Sequence, residues 1–101
     1  MGKVRAIIKR PDEQYGHVCN ISATLENLQK TVGGYIETIT FEDFVIIVNE
    51  EGKLQGLEPN MLIGMDMLVG TIIVIGTKGE EFSDLTISFH TWKALVDKWG
   101  N

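Results

Sequence analysis

The chain has one cysteine, Cys19, and only two prolines among its 101 residues. A lone cysteine excludes an intramolecular disulfide, so a packed core must hold the fold, and it fits a reducing, cytoplasmic setting. The scarcity of proline and the lack of any low-complexity tract argue against disorder. Long hydrophobic runs are missing too. The least polar stretch, Met61 to Gly76, contains Asp66 and three glycines, and it falls short of the roughly 20 apolar residues that span a bilayer. Met1-Gly2-Lys3 leads directly into an alternating pattern, so no signal peptide is expected. With no repeat and no linker, residues 1–101 read as a single domain.

Basic charge is scarce and unevenly placed. The net charge is −5, yet Lys3, Arg5, Lys9 and Arg10 all fall within the first ten residues, where no acid occurs. Between Glu26 and Asp66 the balance reverses, and eight acidic side chains face only Lys30 and Lys53. Phosphate contacts need clustered Lys or Arg, so this acidic body disfavours a nucleic-acid partner. The basic start reads most simply as a solvated edge strand.

What is present is a mixture of two periodicities. Val4, Ala6 and Ile8 alternate with charged residues, as in a half-buried strand. The Pro11–Gly16 turn leads to a second strand, His17 to Ile21, expected to pair back on the first. Ser22 or Thr24 can cap a helix whose apolar face is Leu25, Leu28 and Val32, and Gly33-Gly34 would end it. Tyr35 to Phe41 alternates, whereas Phe44 to Val48 is a continuous apolar run, expected to be buried on both faces. Glu50 to Lys53 reads as a tight turn, and Met61-Leu62-Ile63 as one helical turn. Val69 to Thr77 is a central strand in which Gly70 marks a bulge or close approach. A terminal helix, capped by Ser83 or Asp84, carries Leu85, Phe89, Trp92, Val96 and Trp99 at helical spacing. The order β-β-α-β-β-β-α predicts an α+β fold, a small mixed sheet of about five strands with two helices.

Few residues suggest chemistry. Asn49, Glu50, Asn60, Asp66 and Thr71 would serve as the polar rim of a ligand site. Asparagines in such positions also stabilise turns through side-chain bonds to the backbone. His17 and Cys19 share one side of a strand, but only His90 is left as a third ligand and no metal-binding spacing occurs. Neither Gly76-Thr77-Lys78-Gly79 nor Val32-Gly33-Gly34 has phosphate-loop spacing. The acids of the loops have no visible partner for acid–base work, so no catalytic residue, metal or cofactor is expected. Phe89, Trp92, Val96 and Trp99 form a stripe that suits either the core or a partner interface.

Two stretches carry a likeness to a known family. They are Leu28-Gln29 with Val32-Gly33-Gly34-Tyr35-Ile36-Glu37, and Asn49-Glu50-Glu51-Gly52-Lys53-Leu54 followed by Gly56-Leu57 and Pro59-Asn60. Together with Asp66, Gly70-Thr71, Gly76 and Phe82 they resemble a small uncharacterised family of bacteriophages and Gram-positive mobile elements. Met61 stands where that family commonly has arginine, and the loop before Asp66 is shorter than usual. The resemblance implies a domain of unknown function and brings no catalytic residue with it.

These readings converge on a non-enzymatic, cytoplasmic accessory protein of a phage or mobile element that acts by binding. The acidic body suits a basic host protein, and the large apolar side chains suit a homo-oligomer. An oligomer that sequesters a nucleotide-like small molecule is the alternative, and a small enzyme of unknown reaction comes third.

Overall fold

Four consecutive β-branched residues, Ile72-Ile73-Val74-Ile75, are buried together because their strand is covered on both faces. The structure, a computed structural model, describes residues 2–101. Its elements are β1 (Val4–Lys9), β2 (His17–Ile21), α1 (Leu25–Val32), β3 (Ile36–Thr40), β4 (Val45–Asn49), β5 (Pro59–Ile63), β6 (Asp66–Val69), β7 (Ile72–Lys78), β8 (Glu81–Ser83) and α2 (Phe89–Lys98). The class is α+β, as the sequence predicts, with more strands than the five expected.

The main sheet runs β2-β1-β7-β4-β3, with β8 pairing on β7, while β5 and β6 form a separate hairpin. Every pairing among the described residues is antiparallel. Alternation along the central strands divides the core in two. Ala6, Val45, Ile47, Ile73 and Ile75 pack with Leu28 and Val32 of α1. On the other face, Ile7, Ile46, Val48, Ile72 and Val74 meet Met61 and Leu68 of the hairpin and Trp92 and Val96 of α2. At about 1.5–3 kcal/mol for each buried aliphatic side chain, these two layers supply the main driving force for folding.

The ends of α1 follow the sequence closely. The Thr24 hydroxyl accepts from the Asn27 N–H, and Gly33 closes the helix at φ 85°, in the left-handed region. Leu25, however, is largely exposed and leaves the apolar face to Leu28 and Val32. The second helix starts later than expected. Ser88, not Ser83 or Asp84, is its cap, and Leu85 is buried ahead of it while its N–H donates to the Arg5 carbonyl.

Two further expectations change. Met61-Leu62-Ile63 is strand β5 rather than a helical turn. The stretch from Val69 to Thr77 is broken: Gly70, at φ 72°, turns the chain between β6 and β7. A Cβ there would lie 2.7 Å from Leu57 Cδ1, so the close backbone approach is real.

The C-terminal stripe packs inward. Trp92 is fully buried and its indole N–H donates to the Tyr15 carbonyl at 2.8 Å. Its ring meets Phe44 edge-on at 6.2 Å and Trp99 at 5.9 Å, and Phe41 stacks on Phe44 at 4.8 Å. Trp92 and Val96 therefore belong to the core, which corrects the interface reading for both; Phe89 and Trp99 stay half-buried at its rim. Trp92→Ala is expected to cost about 3–5 kcal/mol in urea unfolding. Trp99→Ala, at the rim, is expected to cost clearly less.

Candidate functional site

Lys9 ends β1 on the face covered by the hairpin, and only 2% of it is exposed. Its ammonium donates to Asn60 Oδ1 at 2.6 Å and reaches the Asn60 carbonyl at 3.4 Å. The Asn60 amide nitrogen donates in turn to the Lys9 carbonyl at 2.8 Å and the Gly70 carbonyl at 2.7 Å. One carboxamide thus joins β1, β5 and the β6–β7 turn. Burial lowers the Lys9 pKa, while the carboxylates of Glu13 and Asp12 pull it the other way. Asn60 is therefore no turn former at a ligand rim. It is an internal brace.

Asn49 has a similar role. It is 5% exposed, and its amide nitrogen donates to the Val32 carbonyl at 3.2 Å and Gln55 Oε1 at 3.3 Å. Its Oδ1 accepts the Glu51 N–H at 2.8 Å, which starts the run of turns through residues 50–56. Gly34 lies so close that a Cβ there would sit 3.0 Å from Asn49 Nδ2. The two sequence stretches that carry the family likeness meet at this point.

Of the polar residues singled out in the sequence, Glu50, Asp66 and Asn49 line one cleft of about 190 Å³. One wall is Glu37 and Ile39 of β3, the other is β6 from Asp66 to Val69, and the turn residues Lys53 and Leu54 close the end. Lys53 bridges to Asp66 at 3.3 Å across this end. Glu37 and Glu50 make no ion pair among the described residues. The cleft is therefore a negative surface with one internal cation. Its rim is also apolar, because Leu54 in its lining is 87% exposed; Met65, next in the chain to Asp66, is fully exposed.

Sequence reasoning missed Glu37, Leu54 and Met65. A signal was available at Leu54, an apolar residue inside a polar turn, where nothing in the local pattern would bury it.

The other candidates lie elsewhere. Thr71 lines a wider cleft of about 530 Å³ with Arg10, Asp12, Leu57 and Glu58. His17 pairs with Glu13 at 3.0 Å. Glu13 accepts the Arg10 N–H, the main reason its pKa falls, with His17 adding to the effect. Burial raises the Cys19 pKa and so favours the unreactive thiol. No group of three potential ligands for a metal ion occurs among the described residues. The basic N-terminal run is no solvated edge either. Its strand lies inside the sheet, and the Arg5 guanidinium donates to the Leu85 and Ile87 carbonyls at 2.8 and 2.9 Å. Among the described residues no helix is long and apolar enough to cross a membrane.

The brace has a pH signature. Because the fold holds the Lys9 proton less tightly than the unfolded chain does, the protonated fold is penalised. Stability from this group rises as pH climbs through the folded pKa and levels off above the ordinary lysine value. Lys9→Met is expected to flatten that alkaline rise when urea unfolding is compared between neutral pH and pH ~10. Asn60→Ala strands the ammonium and two carbonyls, and is expected to cost about 2–4 kcal/mol and to steepen the rise.

No curated protein and no solved structure is similar enough to the chain to match it. A family match does exist, and it spans both signature stretches and every element from β1 into α2. On that match, over residues 4–96, the chain belongs to the family described as domain of unknown function DUF3846.

Proposed function

We propose that the protein is a non-enzymatic binding protein, an accessory factor of a phage or mobile element, and that it takes a basic, apolar segment of a host protein into the cleft between β3 and β6. The setting comes from the sequence resemblance. The binding mode rests on one observation: free carboxylates and exposed apolar side chains share a single concave surface. Glu37 and Glu50 would attract Lys or Arg, while Leu54 would cover the apolar stems of such side chains. At about 190 Å³ the cleft is small. Small-molecule sites run from roughly 300 Å³ upward, so a segment of a larger partner fits it better.

Small-molecule sequestration by an oligomer is the second reading. It draws on the 530 Å³ cleft, which Arg10 and Thr71 help to line.

A photocrosslinking residue at position 54 tests both in host lysate. The expected product is a crosslink to a basic segment, lost at raised salt and in the Glu37→Lys, Glu50→Lys double variant. A melting temperature unchanged in that variant would show that the loss is not unfolding. No protein crosslink, with a retained small ligand seen by native mass spectrometry, would overturn the first reading and favour the second.

A further inference from the structure

The strand that walls the cleft is also the last strand of the sheet. β3 pairs with β4 on one side and, among the described residues, with no strand on the other. The ladder between them is bracketed by Tyr35 with Glu50 and Phe41 with Phe44, where the Glu50 N–H reaches the Tyr35 carbonyl and the Phe41 N–H reaches the Phe44 carbonyl. In an antiparallel pair such bonded positions alternate. Hence Glu37 and Ile39 bond to β4, while the N–H and C=O groups of Ile36, Thr38 and Thr40 point outward from the sheet.

Exposed edges usually carry guards such as proline, lysine, a bulge or a short length. β3 runs Ile36-Glu37-Thr38-Ile39-Thr40 in unbroken register with β4, with four β-branched residues and no proline, glycine or lysine. Glu37 is its one charge. It pairs across to Val48 and shares the face of the cleft with Ile39. An open backbone ladder, a negative side chain and an apolar-rimmed cleft therefore line up along one strand. β2, at the opposite edge, has no acid.

We propose that β3 accepts the basic segment as an added strand, hydrogen-bonded to the outward groups of Ile36, Thr38 and Thr40. Every second side chain of the segment lies on the cleft face, where its Lys or Arg residues meet Glu37 and Glu50 and their alkyl stems lie over Ile39 and Leu54. The occupant is an extended stretch in which basic and β-branched residues alternate, because only a strand presents every second side chain to one face. This inference rests on the binding reading above and adds the backbone pairing to it.

The test is a titration of the full-length, isotope-labelled protein with the octapeptide Lys-Val-Lys-Val-Lys-Val-Lys-Val, and with the same peptide carrying Glu for Lys. The expected result is slowed hydrogen exchange at the amides of Ile36, Thr38 and Thr40 with the basic peptide only. Thr38→Pro removes one outward N–H without touching the β4 ladder, and is expected to weaken binding about tenfold. Thr38→Val keeps that N–H and is expected to bind as the parent does, which separates pairing from side-chain effects. Shifts around Glu37, Glu50 and Leu54 without protection of the three amides would overturn the added strand and leave the binding reading in place. No response anywhere in the cleft would remove both. Protection that grows with protein concentration alone, with a doubled mass, would overturn the proposal in favour of β3 pairing with a second copy.

Discussion

The Asn60 carboxamide is the constraint from which the rest of the arrangement follows. Its nitrogen holds the carbonyls of Lys9 and Gly70, and its oxygen holds the Lys9 ammonium. Those bonds tie the end of an interior sheet strand to both ends of the β5–β6 hairpin. The hairpin interrupts the chain between β4 and β7, two strands that are neighbours in the sheet. Asn101 and the Trp99 carbonyl hold its middle, at Leu62 and Gly64, and Asn60 holds its base. Fixed at Asn60, it lies across the sheet face, places Met61 and Leu68 over Ile46 and Val74, and sets β6 opposite β3. The cleft exists because of that placement. A buried amide with all of its partners in place specifies one geometry more strictly than apolar contact can.

The residues that carry the family likeness largely describe this scaffold. Gly33 and Gly34 let Asn49 reach the end of α1. At Gly52 a Cβ would lie 2.9 Å from Val69, and at Gly70 one would lie 2.7 Å from Leu57. Asn49 and Asn60 are polar, but their bonds are internal. Polar residues in a signature of this kind invite a ligand-site reading, yet the two asparagines spend their side chains on the scaffold. The two expected acids that line the cleft, Glu50 and Asp66, lie in or beside turns, and of these only Asp66 has a side-chain ion pair among the described residues, with Lys53.

Secondary structure was legible wherever one periodicity ran long enough to decide. The β1–β2 pair, α1 with its Thr24 cap, and the doubly buried β4 stand where their patterns put them, as does the buried Ile72–Ile75 part of β7. Short apolar runs were not legible. Met61-Leu62-Ile63 is too brief to separate strand from helix, and the choice is made by pairing with Leu68 and Met67 across the hairpin. The position of Lys9 was hidden for a different reason. Alternation puts Val4, Ala6 and Ile8 on one face, which is correct, and so assigns Arg5, Ile7 and Lys9 to water. A second layer covers that face, and nothing local in β1 announces it. Tertiary cover turned a lysine from a surface charge into a buried donor.

Where hydrogen-bonding capacity remains free is a matter of topology. Among the described residues no buried side-chain nitrogen or oxygen lacks a partner. The interior has no polar group left with which to recognise anything. An open sheet, unlike a barrel, must end in two strands whose outer backbone groups face solvent. In this chain the two ends differ in charge: β2 follows the basic N-terminal run, and β3 lies within the acidic body. The hairpin braced by Asn60 reaches the acidic end and adds a wall, with the exposed Leu54 of the preceding turns at the rim. The same tie that completes the core therefore makes one sheet edge concave, negative and partly apolar, and this is the edge with the features a basic partner strand would need.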